Sequence, residues 1–498
     1  MAFLEARIRP LTTGVDTLTG GAGNDTFNGT VDSTPTPSQS TLTALDSITG
    51  GLGNDTLNVN VITGAIPAIT LTGVETVNIR AAVAVTTDVS NFTGLTAVNV
   101  TQAAGALALT SASTTAVTVS GATAGVAITG GSSATLTKAM NATAGAVTID
   151  KVGAVTVTAT DSVAAAGDIV IGGTTAVTGA VSVTSTGAKI VGGTGAVSTD
   201  LITITGGTTV SVTEAATADM GDVATKGIAT DVITQGAVTV TGGNATTSVS
   251  VVQAPVVAAV AAVAAITGVS ATKTVTFVAM AANDWVSIDG LKFTATKALT
   301  AAEAAAAFAG LTATETQGQG FSSNGTYSVT TSTAKWTSGA VVGNSVTFSQ
   351  TVAGAIGLTL AQSIAAVPQV TEVAGVSGIL AQTAKTGVLG VANGAVVIDD
   401  NAVKSITTLT VSGYSAGATL GGATATKSLD ALTTLNLANS SGGAAAVNST
   451  ATTLALNVNN INKNAAGTAS TVTVDVGGAT VKTLNLTTAT ADSAYAVI

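Results

Sequence analysis

Apolar and polar positions alternate with a period of two in short segments along most of the chain. The clearest are Thr56-Leu57-Asn58-Val59, Thr76-Val77-Asn78-Ile79 and Ala97-Val98-Asn99-Val100, spaced 20 and 21 residues apart, with the asparagine in the same place each time. A period of two predicts half-buried β-strands, and threonine and valine favour that conformation. Looser copies follow at Ala116-Val117-Thr118-Val119, Ala146-Val147-Thr148-Ile149, Ala154-Val155-Thr156-Val157, Ala180-Val181-Ser182-Val183 and Ala237-Val238-Thr239-Val240. The asparagine form returns at Thr434-Leu435-Asn436-Leu437, Ala455-Leu456-Asn457-Val458 and Thr483-Leu484-Asn485-Leu486. Strands of about four residues, recurring every 20 to 30 residues between glycine-rich turns, predict the stacked rungs of a parallel β-solenoid. The asparagines have two readings: an interior or turn-edge amide ladder whose polar groups satisfy one another, or solvent-facing turn residues.

Residues 254–385 break this pattern. Eight of the chain's thirteen aromatic residues fall between Phe277 and Phe348, which predicts a conventional compact core. Asp289-Gly290 sits between Trp285-Val286-Ser287-Ile288 and Leu291-Lys292-Phe293 as a hairpin signal, and Asn324-Gly325 before Thr326-Tyr327-Ser328-Val329 is another. Thr300 and Glu303 form a capping box that opens a helix running through Phe308, with Gly310 as its stop. The expected fold is all-β, a parallel β-solenoid or β-roll with an inserted α+β or β-sandwich-like globular domain. Its expected divisions are an N-terminal lead (1–12), a β-roll (13–60), a solenoid (61–253), the insert (254–385) and a solenoid continuation (386–498).

Composition narrows the chemistry. Of 498 residues only 8% are charged, and there is neither cysteine nor histidine. Disulfide frameworks, thiolate metal sites, cysteine nucleophiles and imidazole bases are thereby excluded. A net charge of −10 leaves no basic stripe to neutralise phosphates and argues against a nucleic-acid partner. The longest apolar run, residues 256–266, is too short to span a bilayer, so no transmembrane segment is expected. Residues 1–10 mix Glu5, Arg7 and Arg9 with apolar residues, unlike a cleaved secretory signal. A cysteine-free, Thr/Ala/Gly-rich, charge-poor chain suits the bacterial exterior.

One motif carries specific chemistry. Gly20-Gly21-Ala22-Gly23-Asn24-Asp25-Thr26-Phe27-Asn28 and Gly50-Gly51-Leu52-Gly53-Asn54-Asp55-Thr56-Leu57-Asn58 are two copies of one nonapeptide. Asp16 and Asp46 each stand nine residues before the motif aspartate and match only its second half. Calcium takes six to eight oxygens in flexible geometry, which carboxylates and the carbonyls of glycine turns supply. Both nonapeptides closely resemble the calcium repeats of the repeats-in-toxin family, Gly-Gly-x-Gly-x-Asp-x-apolar-x. The resemblance implies side-chain ligation by Asp25 and Asp55, with Asp16 and Asp46 as further ligand candidates and with Gly20, Gly21, Gly23, Asn24, Gly50, Gly51, Gly53 and Asn54 shaping the turns and offering carbonyls.

Together with Leu71-Thr72-Gly73-Val74-Glu75-Thr76-Val77-Asn78-Ile79, these turns look like calcium-dependent bacterial surface-layer proteins. That resemblance implies a non-enzymatic subunit on the cell surface. It would self-assemble with calcium into a homo-oligomeric lattice or filament, attach to lipopolysaccharide or another surface glycan, and leave the cell by type I secretion. Residues 490–498 continue the repeat style where that family places its secretion signal. Two other functions share the scaffold: a secreted adhesin with a solenoid stalk and a binding module, and a polysaccharide-active β-helix enzyme. The adjacent pair Asp399-Asp400 reads as a solvated turn, and Trp285 and Trp336 read as core.

Overall fold

In the computed structural model the described residues are 6–34, 38–140, 145–161, 167–188, 197–217, 232–254, 272–312, 324–329, 336–350, 359–365, 369–373, 390–440, 443–461, 471–476, 478–487 and 494–497. The apolar run 256–266 and most of 490–498 lie outside them. Among the described residues no helix is long and apolar enough to cross a membrane.

The alternating segments are strands of a parallel β-solenoid. In Thr56–Thr63, Leu57, Val59 and Val61 are buried while Thr56, Asn58 and Asn60 point outward, as the period of two requires. Among the described residues fifteen such strands form one parallel sheet running from Ile8–Pro10 to Val481–Thr487. A second parallel sheet of twelve begins at Val85–Asp88 and ends at Ala494–Val497. A short third sheet joins Val197–Ser198, Val232–Thr234 and Gly390–Ala392, and a fourth, near the N-terminus, joins Thr17–Gly21, Ser47–Gly51 and Thr70–Thr72. Valine, leucine and isoleucine from the two large sheets share one continuous core.

The repeat read as a single motif is divided between faces. Thr76–Ala81, Ala97–Ala103 and Ala154–Asp161 belong to the fifteen-stranded sheet, whereas Val147–Asp150 and Val238–Thr241 belong to the other. Both faces bury alternate residues of a parallel strand, so both carry the same pattern. Strands of the larger sheet also run longer than four residues, reaching nine in Thr209–Thr217, because the alternation continues through Glu214.

The asparagines settle on the outward strand face, half-buried, and hydrogen-bond from rung to rung. Asn58 Nδ2 donates to Asn28 Oδ1 at 2.9 Å, Asn78 Nδ2 to Asn58 Oδ1 at 2.9 Å, and Asn99 Nδ2 to Asn78 Oδ1 at 3.0 Å. A second ladder links Asn485 to Asn457 and Asn457 to Asn436, both at 2.7 Å. They are therefore a ladder, and an external one.

By internal contacts the chain divides into two units, one of Met1–Ala261 with Gly387–Ile498 and one of Ala262–Thr386. Within the first, the solenoid resumes in register: Ser248–Gln253 pairs directly with Thr408–Ser412, and Val238–Thr241 with Val396–Asp399. Among its described residues the second unit holds two four-stranded antiparallel sheets and the helix Ala301–Ala306. Ile288 pairs with Leu291 across Asp289-Gly290, whose φ angles of 48° and 90° make the tight turn expected of that pair. Thr300 and Glu303 form the capping box. Gly325 opens the strand Gly325–Val329, which pairs antiparallel with Leu291–Ala295; the hairpin expected at Asn324-Gly325 involves residues before 324 that lie outside the described residues. Phe277 stacks on Phe308 at 5.3 Å, and Trp336 meets Phe348 edge-on at 4.9 Å. Trp336 is buried as expected, while Trp285 is half-buried with Lys292 Nζ 4.3 Å above its ring.

Candidate metal centre

Each nonapeptide folds as strand, turn, strand. Thr17–Gly21 leads through Ala22-Gly23-Asn24-Asp25 into Thr26–Asp32, and Ser47–Gly51 does the same into Thr56–Thr63. The two copies lie one on the other, Thr17 opposite Ser47 and Thr26 opposite Thr56. The stacking interval is therefore thirty residues, and nine residues separate positions on different sheets.

Stacked turns require glycine. A Cβ on Gly50 would lie 1.8 Å from the Gly73 carbonyl oxygen and 2.4 Å from Asp55 Oδ2; one on Gly20 would lie 1.9 Å from the Gly50 carbonyl oxygen and 2.5 Å from Asp25 Oδ2. Gly51 and Gly53 add positive φ angles, 113° and 128°.

The motif aspartates form a column, one carboxylate per rung. Asp55 Oδ1 accepts the Asp25 N–H at 2.7 Å, and Asp25 Oδ1 accepts the Arg7 N–H at 2.9 Å. Glu75 Oε2 accepts the Asp55 N–H at 2.7 Å and extends the column by a third rung. Glu75 lies outside the two nonapeptides, although Gly73-Val74-Glu75-Thr76 repeats the Gly-x-acid-Thr spacing of Gly53-Asn54-Asp55-Thr56. Asp16 and Asp46 are a separate pair. Asp46 Oδ1 accepts the Asp16 N–H at 2.9 Å and its Oδ2 the Thr43 N–H at 2.7 Å, while Asp16 Oδ2 accepts the Thr12 N–H at 2.8 Å. Asn24 Oδ1 accepts the Asn54 N–H at 2.8 Å, tying the two turns together.

The two pairs differ in what is left over. Asp25 and Asp55 are 1% and 0% exposed, and the Oδ2 of each has no hydrogen-bond partner. A buried anionic oxygen without a partner is costly. Burial pushes the Asp55 carboxyl above its ordinary range; the hydrogen bond from Asp25 opposes this, and the charges of Glu75 and Asp25 add to it. Among the described residues no three acidic side chains converge closely enough to hold a metal by themselves. The residues nevertheless fit a hard cation that takes Asp25 and Asp55 Oδ2 along with carbonyl oxygens of the glycine turns, since such ions accept backbone oxygen readily.

Asp399 and Asp400 are not the solvated turn expected. They are 4% and 1% exposed; Lys427 Nζ lies 2.8 Å from Asp399 Oδ2, and Asp400 accepts the Asn401 and Ile406 N–H groups at 2.8 and 3.0 Å. Both are structural anchors of one corner of the solenoid. No protein-family model matches the chain, and no curated protein matches it.

Proposed function

We propose that this chain is a structural subunit of a bacterial surface layer, assembled outside the cell with calcium. The observation that carries the reading is the pair of buried, unpartnered carboxylate oxygens under the stacked Gly-Gly-x-Gly-Asn-Asp turns. Asp25 and Asp55 would hold the ion with carbonyls of the glycine turns, and the ion would supply the positive charge that the column lacks. Calcium binding the folded turns better than the unfolded chain stabilises the N-terminal rungs by mass action. Low calcium inside the cell then keeps the segment loose for export, and external calcium sets it.

The outward faces suit lateral assembly and attachment. A shallow groove of about 350 Å³ beside the asparagine ladder is lined by Asn58, Asn60, Asn78, Arg80 and Thr101, whose amide, hydroxyl and guanidinium groups suit a surface glycan such as lipopolysaccharide. Electron microscopy of the purified chain tests the reading: a regular array with calcium that dissolves in chelator is the expected result. Isolated fibres that bind glycan would support a secreted adhesin instead, for which the half-buried Trp285 under Lys292 in the separate antiparallel unit is the favouring observation.

A further inference from the structure

The middle rungs are polar inside, at positions where the preceding rungs carry Ala81, Ala103 and Ala122. Register stacks the inward-facing Lys138, Ala159, Ser185, Glu214 and Gln253 in one column of the long-stranded sheet. Asp161 lies two residues beyond Ala159 on the same inward face. Thr199, Asp200 and Gln235 face them from the turns after Val197–Ser198 and Val232–Thr234 in the third sheet. Each of these polar residues is at most 4% exposed.

Their contacts stitch the two sheets together. Glu214 is the hub: Thr199 Oγ1 donates to its Oε1 at 3.1 Å and Gln253 Nε2 to its Oε2 at 2.7 Å. Thr199 Oγ1 also accepts the Gly236 N–H at 2.7 Å, and Gln253 Nε2 reaches the Gly394 carbonyl at 3.2 Å. Asp161 Oδ2 accepts from Ser185 Oγ at 3.1 Å, and Asp200 Oδ1 accepts the Gly167 N–H at 2.9 Å. Asp161 and Asp200 bring two carboxyl groups together, and the charge of Asp200 favours the protonated form of Asp161. Three carboxyl groups face one ammonium, Lys138, whose Nζ donates to the Ala124 carbonyl. Asp168, exposed, is the other charged group lining the pocket beside Asp200. The third sheet's own pairings are short, spanning two and three residues.

We propose that this chamber is a proton-operated latch: protonated carboxyl groups hold the short third sheet closed against the long-stranded sheet, and loss of those protons to solvent loosens the middle rungs. Burial pushes Asp161 up to about 8, reinforced by the charge and hydrogen bond of Asp200 and by the charge of Glu214, and opposed by the Ser185 hydrogen bond. Burial likewise pushes Glu214 up to about 7 against its hydrogen bonds from Gln253, Thr199 and Gly236. Both groups bind protons more tightly closed than open. Their contribution to closure is full below the ordinary values of 3.8 and 4.5 and is lost as pH rises through about 7 and 8. Lys138 works in the opposite sense. Burial lowers it from 10.5 to about 8 despite the charge of Asp200, so closure recovers in part between those values as the buried charge is shed. Loosening is therefore greatest near pH 8.

Hydrogen–deuterium exchange on the full chain tests this at about pH 5.5 and about pH 8.5, with calcium constant and intrinsic exchange corrected. Amides of Gly236 and of the strands Val232–Thr234 and Gly390–Ala392 are expected to lose about tenfold or more of their protection at the higher pH, while Ala97–Ala103 and Thr434–Ala438 keep theirs. Asp161→Asn combined with Glu214→Gln is expected to hold protection equal at both pH values. Unchanged protection in the wild-type chain, or an equal loss in the double variant, overturns the latch. Infrared difference spectra of the wild-type chain decide the matter if the variant does not fold. A protonated-carboxyl band present at the lower pH and bleached at the higher supports the proposal, and its absence at the lower pH overturns it.

Discussion

Two parts of one solenoid bury carboxylates, and they surround them differently. In the N-terminal column Asp25, Asp55 and Glu75 sit one per rung at a turn, and each accepts a backbone N–H of the preceding rung. In the middle chamber Asp161, Asp200 and Glu214 face one another across the interior and are met chiefly by side chains. The column leaves outer oxygens beside glycine carbonyls, an arrangement suited to a divalent cation. The chamber meets both Glu214 oxygens, with a hydroxyl and an amide, and one Asp161 oxygen, with a hydroxyl, and it gathers three carboxyl groups into one interior, an arrangement suited to protons. A carboxylate at a turn can recruit main-chain oxygen for a shared ion; one on the inward face of a strand has only the neighbouring side chains.

Separating the two regions starts with the change of largest expected effect. Gly50→Ala places a methyl group against the Gly73 carbonyl and Asp55, and the N-terminal rungs should lose about 3 kcal/mol or more with the chamber untouched, as read by region-resolved hydrogen exchange. Removing the hub of the chamber by Glu214→Ala strands the donors of Thr199 and Gln253, and should lower stability to denaturant by about 3 kcal/mol without changing the response to calcium. Asp55→Asn keeps an acceptor for the Asp25 N–H while removing the anion. It should abolish about 2 kcal/mol of calcium-dependent stabilisation, measured by calcium titration with circular dichroism. An undiminished titration would separate the column from calcium altogether. Asn78→Ala interrupts the outer ladder between Asn58 and Asn99 and should lower the melting temperature by the equivalent of about 1 kcal/mol, equally with and without calcium.

Much of the architecture was legible in the chain because its signals are local. Leu57, Asn58 and Val59 declare which side of a strand is buried whatever lies beside it, and Thr300 with Glu303 declares a helix start from four residues. Asp25 and Asp55 were legible for the same reason. Glu75 was not, since it departs from the aspartate of the repeat, yet it completes the column because Thr76 stacks on Thr56. The chamber gave no linear signal at all: Lys138, Asp161, Ser185, Glu214 and Gln253 are scattered over more than a hundred residues and meet only through successive rung pairings. Asp399 and Asp400 illustrate the reverse error, an acidic pair that looks solvated until Lys427 and the Ile406 N–H close over it.

What the sequence alone determined is the vocabulary of the molecule: strands with one buried side, glycine turns that allow close stacking, and a separate aromatic-rich unit. These follow from side-chain alternation and backbone freedom, which act within a few residues. Only the tertiary structure decided which strand lies on which sheet, that Ser250 pairs with Thr410 over an intervening unit, and that a run of polar residues shares one interior. Stacking is set by where each rung returns after a turn or loop of variable length. A residue's neighbours above and below are therefore distant in sequence, and their chemistry exists only once the rungs are in register.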